Sequence, residues 1–151
     1  MYIWRLLALC WAVNIFMMST EGFGGGFSRI LLMRFFDFLG VSVSPEVFDI
    51  IHLALRKLAH LLEYSIFGFL LYCSFREQDH PVWQPGRAAW ALATAAAYSL
   101  TDEFHQALVR GRTASLLDSL IDSTGALLSI ALIYLFSVRS RLGESAAAPR
   151  G

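Results

Sequence analysis

Three short stretches of the chain carry ionisable side chains at helical spacing inside sequence that is otherwise apolar. They lie at residues 56–64, 101–106 and 111–125. Because residues three or four apart share one face of a helix, each stretch predicts a single polar face. Carboxylates, imidazoles and cationic groups on facing helices are what acid–base catalysis and phosphate binding require. The candidates for catalysis are His60, Glu63, Asp102, Glu103 and His105, and those for substrate binding are Lys57, Arg112, Tyr64, Gln106, Ser115, Asp118 and Asp122.

These residue types predict the handling of a phosphate-bearing head group. Lys57 and Arg112 would hold phosphate oxygens, Arg112 with two parallel hydrogen bonds. His60 or Glu103 would act as general acid or base, with Glu63 or an aspartate orienting the imidazole. The polar stripes are Lys57, His60 and Tyr64, then Asp102 and Gln106 with Tyr98 one turn earlier, then Ser115, Asp118, Asp122 and Gly125.

The carboxylates of these stretches outnumber the fixed cations. Their mutual repulsion favours a bound cation or protonation of some of them. A divalent metal bridging Asp118, Glu103 and the phosphate is one such arrangement. The sequence has no HExxH motif, so the metal ligands and any cofactor stay unassigned. The structural alternative is that the same residues form ion pairs that hold short helices together in lipid.

The composition indicates the environment of these helices. Of the 151 residues, 56% are hydrophobic and 16% are charged, and the mean hydropathy is +0.54. Soluble domains are about a quarter charged, so we expect an all-α, polytopic membrane protein. A charged residue exposed to lipid at a helix centre costs about 2.5–3.5 kcal/mol. The polar faces must therefore meet inside the bundle.

Four segments have the length and apolarity of membrane helices, and they predict a compact antiparallel bundle. This order brings the start of the second helix, the end of the third and the start of the fourth to one membrane face. Residues 30–39 are too short and too charged to span, which predicts an interfacial position. The predicted spans are 3–19, 46–75, 88–106 and 114–136, in one domain of residues 1–139 with a motif-bearing core at 57–125 and a disordered tail at 140–151.

The arginine positions favour, by a small margin, an orientation with both termini in the cytoplasm. The polar stretches would then face the outer leaflet of a bacterial inner membrane. The net charge is zero, so no basic surface indicates a nucleic-acid partner. Membrane lipids are the expected partners, and the oligomeric state is left open. Cys10 and Cys73 lie far apart in apolar sequence, which predicts free thiols.

The polar stretches resemble the motifs of the VanZ-like membrane proteins. The match spans residues 57–125 with the motifs in the family's order. The chain departs from the pattern at Leu108, where an aromatic residue is usual, and at Arg110, where proline is common. The family's KxxHxxEY, DExHQ, GRxxSxxD and DxxG correspond to KLAHLLEY at 57–64, DEFHQ at 102–106, GRTASLLD at 111–118 and DSTG at 122–125.

The resemblance implies a four-helix membrane protein of the cell envelope, and the family's name-giving member is associated with resistance to a glycopeptide antibiotic. It implies no established reaction. Three functions stay open: a lipid head-group hydrolase or transferase, a non-enzymatic module that binds a lipid or amphiphile, and a small transporter or proton relay. The transporter ranks last, because four helices leave little room for a pathway.

Overall fold

The computed structural model of the chain consists of helices and their connections. It describes residues 2–20, 25–75, 83–109 and 115–147. No strand occurs in these ranges, so the expected all-α class is confirmed. The helices are α1 (Tyr2–Met18), α2 (Gly25–Leu39), α3 (Pro45–Ser74), α4 (Pro85–Leu108) and α5 (Leu116–Ala147).

The junction between α2 and α3 shows why these helices end and begin where they do. Gly40 has a φ of 65°, the left-handed conformation that favours glycine after a helix end. Ser44 caps α3, since its hydroxyl accepts a hydrogen bond from the backbone N–H of Val47 at 3.4 Å. Pro45 fits the first turn, where no intrahelical N–H is needed.

Helix α3 is central, and α1, α4 and α5 pack around it. Trp11 donates its indole N–H to the backbone oxygen of Glu63 at 3.0 Å. Arg5, earlier in α1, reaches the backbone oxygen of Ser74 at 3.4 Å. Residue numbers thus fall along α1 as they rise along α3, so the two helices are antiparallel.

Aromatic contacts define one end of the bundle. Trp83, just before α4, lies against Tyr134 near the end of the apolar part of α5, with ring centroids 5.0 Å apart. The backbone N–H of Gln84 donates to the hydroxyl of Tyr72 at 3.0 Å. The start of α1, the end of α3, the start of α4 and the later part of α5 therefore lie together. The polar candidate residues lie toward the opposite end.

The contact between α3 and α5 is the most extensive between helices, and small residues make it close. A Cβ atom on Gly68 would lie 2.8 Å from the Cα of Ala126, and one on Gly125 would collide with the backbone oxygen of Leu61. Ser65 Oγ lies 2.9 Å from the backbone oxygen of Gly125. Small residues allow helix backbones to approach closely in membrane proteins, so this pattern fixes α5 against α3.

Within the described ranges, α5 is the helix that is long and apolar enough to cross a membrane, over Leu116–Ser140. Helix α1 is apolar but shorter, and the polar candidates lower the hydropathy of α3 and α4. Hydropathy thus supports one of the four predicted spans and leaves the other three as predictions. Large apolar side chains are nevertheless exposed on every helix, among them Leu6, Ile30, Leu62, Trp90 and Leu132.

The helix bounds differ most from the predicted ones at the carboxyl terminus. Helix α5 continues to Ala147, into the segment 140–151 for which the sequence predicted disorder. The stretch predicted to be interfacial belongs to a regular helix, α2, which makes few contacts with α3. The predicted turns within 76–82 and 110–114 lie outside the described residues.

Candidate functional site

Asp122 of α5 joins three helices through its carboxylate, and 0% of its surface is exposed. Its Oδ1 lies 3.1 Å from Nδ1 of His60 on α3. Its Oδ2 accepts a hydrogen bond of 2.8 Å from Ser99 Oγ on α4, which is also 2.9 Å from the hydroxyl of Ser119. Because a carboxylate only accepts hydrogen bonds, Ser99 donates to Asp122 and accepts from Ser119. The side chains are thereby oriented by one another.

The contact with Asp122 fixes the orientation of the His60 ring. With the carboxylate accepting, Nδ1 carries the proton, and a neutral imidazole leaves Nε2 as an acceptor. Nε2 makes no hydrogen bond to the described part of the chain, and His60 lines an open cleft. A carboxylate-oriented imidazole with an open second nitrogen has the arrangement of a general base. Of the orienting groups considered from sequence, Glu63 or an aspartate, the structure places Asp122 in this position.

Glu103 connects the end of α4 to the start of α5. Its Oε2 accepts a hydrogen bond of 2.6 Å from the backbone N–H of Ser115. The backbone oxygen of Ser115 accepts in turn from the N–H of Asp118 at 2.8 Å. The carboxylate thus lies at the first turn of α5, where exposed backbone donors favour negative charge. Its Oε1 is buried and has no hydrogen-bond partner among the described residues.

Asp102 and Gln106 form a pair one turn apart on α4. Gln106 donates its amide to Asp102 Oδ2 at 2.8 Å, and both side chains are buried. Asp102 Oδ1 and the hydroxyl of Tyr64 are buried without a hydrogen-bond partner in the described ranges. Buried polar atoms are nearly always hydrogen-bonded, so these two atoms are suited to a water molecule or a polar group of a ligand.

Lys57 forms an ion pair with Asp118 between α3 and α5. The Asp118 side chain is 5% exposed, whereas 29% of the Lys57 side chain is exposed. The ammonium thus has a carboxylate partner within the protein, which leaves it less available to hold a phosphate. Arg112, the other predicted phosphate ligand, lies outside the described residues.

His105 contacts α1. Its Nδ1 lies 2.9 Å from the hydroxyl of Ser19, and its ring centroid lies 4.6 Å from that of Phe16. A serine and a histidine at this distance also have the separation of a nucleophile and its base. Within the described ranges no carboxylate pairs with His105, in contrast to His60. The two predicted catalytic histidines therefore make separate contacts.

A cleft of about 400 Å³ between α1, α3 and α4 gives access to part of this site. It is lined by four predicted site residues together with Arg56. The cleft thus brings a candidate general base, two carboxylates and a cation to one surface. The predicted site residues that line it are His60, Glu63, Asp102 and Gln106. The other predicted site residues in the described ranges do not line it, namely Lys57, Tyr64, Glu103, His105, Ser115, Asp118 and Asp122.

The ligands of the divalent metal considered in the sequence analysis stay unassigned. No group of three or more histidine, cysteine, aspartate or glutamate side chains in the described ranges could hold a metal ion. Of the two carboxylates considered, Asp118 pairs with Lys57, and Glu103 accepts from the backbone N–H of Ser115. Asp118 is thus already paired, whereas Glu103 keeps one oxygen, Oε1, without a hydrogen-bond partner among the described residues.

Ser99 is a site residue that the sequence analysis missed. It follows Ala95 by four residues and precedes Asp102 by three, and all three are buried on one stripe of α4. That spacing was the signal that could have identified it. The sequence analysis instead placed Tyr98 on the stripe, but Tyr98 donates its hydroxyl to the backbone oxygen of Ala12 at 2.6 Å.

The contribution of Asn14 on α1 was also missed. Asn14 donates its amide to Glu63 Oε1 at 3.4 Å, and Asn14 and Ser19 line the cleft. Asn14 is the one strongly polar, uncharged amide within the apolar sequence of α1. A polar side chain in a membrane helix normally faces another helix, and this signal could have placed α1 at the site.

Comparison with known proteins identifies the family. A model of the VanZ/LLP1 family matches residues 4–137, a range that includes every predicted site residue. No curated protein and no solved structure matches the chain. The resemblance inferred from the four motifs is confirmed, and the match extends well beyond residues 57–125 on both sides.

Proposed function

The chain belongs to the VanZ/LLP1 family, and we propose that it acts on the head group of a membrane lipid. The proposed substrate is a phosphate-bearing lipid or a lipid-linked envelope precursor. The proposed reaction is hydrolysis or transfer of that head group by acid–base catalysis. A connection with glycopeptide resistance follows from the resemblance to the family's name-giving member.

The observation that carries this proposal is the His60–Asp122 pair beside an open cleft. With Nδ1 held at 3.1 Å from Asp122, Nε2 can take a proton from an attacking hydroxyl or water and return it to the leaving group. Glu63 and Asp102 line the same cleft, where their oxygens can accept hydrogen bonds from head-group hydroxyls. Ion pairs that serve only to hold helices together need no such access.

Arg56 is the described cation that best fits a phosphate. It lines the cleft, and a guanidinium can bind phosphate oxygens through two parallel hydrogen bonds. Lys57 pairs with Asp118, so its proposed role is mainly to neutralise that buried carboxylate. Arg112 is retained as a second phosphate ligand in the proposal because of its place in the Gly-Arg motif ahead of α5.

Four membrane spans, formed by α1, α3, α4 and α5, are part of the proposal. Helix α3 has 30 residues, which extend over about 45 Å, more than the ~30 Å of a hydrocarbon core. Exposed apolar side chains on all these helices support contact with lipid. The start of α1 and the later part of α5 lie at the end away from the site. With both in the cytoplasm, the cleft lies at the outer leaflet of the bacterial inner membrane.

A non-enzymatic module that binds a lipid or amphiphile is the alternative. The unpaired buried atoms support it, because Asp102 Oδ1 and the Tyr64 hydroxyl can hydrogen-bond a ligand without any reaction. Such a protein would sequester its ligand, and the amount of each lipid species in the cell would stay the same.

Total-lipid profiling distinguishes catalysis from binding. The lipids of cells with wild-type protein, with His60→Asn and with no protein are compared by mass spectrometry. The wild-type and His60→Asn proteins are present at matched abundance. Catalysis predicts a head-group inventory that changes with the wild-type protein and returns to that of empty cells with His60→Asn. A wild-type inventory identical to that of empty cells would contradict catalysis and favour the binding module.

A further inference from the structure

Ser19, directly after α1, lies between two acceptors for its hydroxyl proton. Its Oγ is 2.9 Å from Nδ1 of His105 on α4. The carboxylate of Asp102, one turn earlier on α4, lies within hydrogen-bonding reach of the same hydroxyl. A serine oxygen becomes an effective nucleophile when a neighbouring base takes its proton. Ser19 therefore has the surroundings of an activated nucleophile.

Ser19 is also placed where a ligand can reach it. It lines the same cleft as His60, Asp102 and Arg56, and only 3% of its surface is exposed. The small exposed area limits its contact with bulk water, whose attack on a reactive intermediate would be a side reaction. Ser19 and the candidate general base His60 thus share one ligand-accessible surface.

Other contacts already hold α1 in its place. The indole of Trp11 donates to a backbone oxygen of α3. The hydroxyl of Tyr98 on α4 donates to the backbone oxygen of Ala12 at 2.6 Å. Both contacts are made by side chains that need no access to the cleft. Anchoring of α1 therefore does not by itself account for a serine that faces a histidine and a carboxylate at the cleft.

We propose that Ser19 is the nucleophile of the head-group reaction and carries a covalent phosphoserine intermediate. In the first step, Ser19 Oγ bonds to the phosphorus of a lipid phosphodiester, and one of the two ester P–O bonds breaks. The proton of the hydroxyl passes to His105 Nδ1 and from there to the oxygen that leaves. This inference rests on the proposed function, and it adds the residue that bonds to the substrate.

The second step releases the intermediate. Water or an acceptor hydroxyl attacks the phosphorus, and His60 Nε2 takes its proton. The bond between phosphorus and Ser19 Oγ breaks, and His60 returns the proton to that oxygen. The two steps exchange one ester oxygen on phosphorus for another and restore the protein. The two histidines thus have separate roles, His105 in forming the intermediate and His60 in resolving it.

A phosphorus electrophile tests the nucleophile without requiring the natural substrate. The full chain, in nanodiscs of phosphatidylethanolamine and phosphatidylglycerol, is treated with a long-chain alkyl fluorophosphonate, from which fluoride leaves as a serine oxygen bonds to phosphorus. Labelled peptides are mapped by mass spectrometry. We expect the label on Ser19 and its loss in Ser19→Ala. Thr20→Ala is the matched control and should keep the label, because the Thr20 hydroxyl donates to the backbone oxygen of Met17 at 2.7 Å.

His105→Asn should slow the labelling of Ser19 about a hundredfold. Asparagine can still hydrogen-bond the hydroxyl but cannot take its proton, so the rate distinguishes a base from a residue that only positions Ser19. A folded wild-type protein without label on Ser19 would overturn the proposal, whether or not the variants fold. An unchanged labelling rate in folded His105→Asn would also overturn it.

His60→Asn separates this proposal from the proposed function. In cells whose lipids the wild-type protein changes, the variant should accumulate a phosphorus adduct on Ser19, because the second step lacks its base. Absence of that adduct would contradict the two-step sequence. A lipid change that persists in Ser19→Ala would refute the nucleophile and leave the proposed function standing. Fluorophosphonate labelling of Ser19 in a protein that changes no lipid would support the nucleophile and refute the proposed reaction.

Discussion

The two sides of α3 are packed in opposite ways. Toward α5, Gly68 and Gly125 allow contact so close that added Cβ atoms would strike the neighbouring helix. Toward α1, Ala59 is exposed beside an open cleft. Both sides use small residues, but one uses them to bring backbones together and the other leaves space.

The two sides of α3 therefore have different roles: one supports the site residues, and the other gives a ligand access to them. The close contact sets the position of α5, whose Asp118 and Asp122 face Lys57 and His60 on α3. The open side then exposes His60 to a ligand. A catalytic side chain needs both, because a supported scaffold holds its orientation while an open face admits the substrate.

The largest effect on folding is expected from a bulky side chain in the close contact between α3 and α5. Gly125→Val would push a branched side chain into the backbone of Leu61, which no change of rotamer can relieve. We expect almost no folded protein, measured as the monodisperse fraction in detergent. Gly86→Ala is the control, because a Cβ on Gly86 meets nothing within 4 Å. A normal yield of folded Gly125→Val would show that the two sides of α3 are not packed differently.

The second effect concerns the ion pair between α3 and α5. Lys57→Ala leaves Asp118 buried without its partner, and we expect a loss of about 2 kcal/mol, less than for a fully buried pair because Lys57 is partly exposed. Adding Asp118→Ala should restore part of the loss. The free energy of unfolding in detergent measures both. Strictly additive losses would argue against direct pairing.

A smaller effect on the free energy of unfolding is expected from Ser99, whose contact with Asp122 supports His60 at the cleft. Ser99→Ala removes the hydroxyl that donates to Asp122, and we expect a loss of about 1 kcal/mol in unfolding free energy. Head-group turnover should fall with it, because Asp122 then orients His60 less firmly. Thr124→Ala is the control, since the Thr124 hydroxyl donates only to the backbone oxygen of Leu120 in its own helix. Equal effects of the two changes would remove Ser99 from the site.

The smallest effect on folding is expected from fusions that test which side of the membrane the cleft faces. Reporter domains fused at position 79 or after the carboxyl terminus should both report cytoplasm, and normal folding is expected. An external signal at either position would reverse the proposed orientation and put the cleft at the inner leaflet.

The sequence was sufficient to predict the all-α class and the family. Charged side chains are costly in lipid, so the three polar stretches had to face one another. Pro45 and Pro85 begin α3 and α4, as expected for a residue that fits the first turn of a helix.

Partners within the site could not be predicted from spacing alone. Helical periodicity specifies a face, but the rotation of one helix against another decides which carboxylate on that face meets which cation. Thus Lys57 pairs with Asp118 and His60 with Asp122. The cleft could not be predicted for the same reason, since it depends on how α1, α3 and α4 are placed relative to one another.

The central claim is that His60 on the cleft side of α3 and Glu103 near the end of α4 carry the acid–base chemistry, while the packed side of α3 supports them. Its most direct test scores folded protein and change in lipid head groups together, for His60→Asn and Glu103→Gln. Asparagine can still donate to Asp122, and glutamine can still accept from the N–H of Ser115, so both variants should insert and fold nearly as wild type. Neither amide titrates as a general acid or base, so both should lose the lipid change. If both variants keep the full change at normal abundance, these residues are not the chemical centre and the account is contradicted.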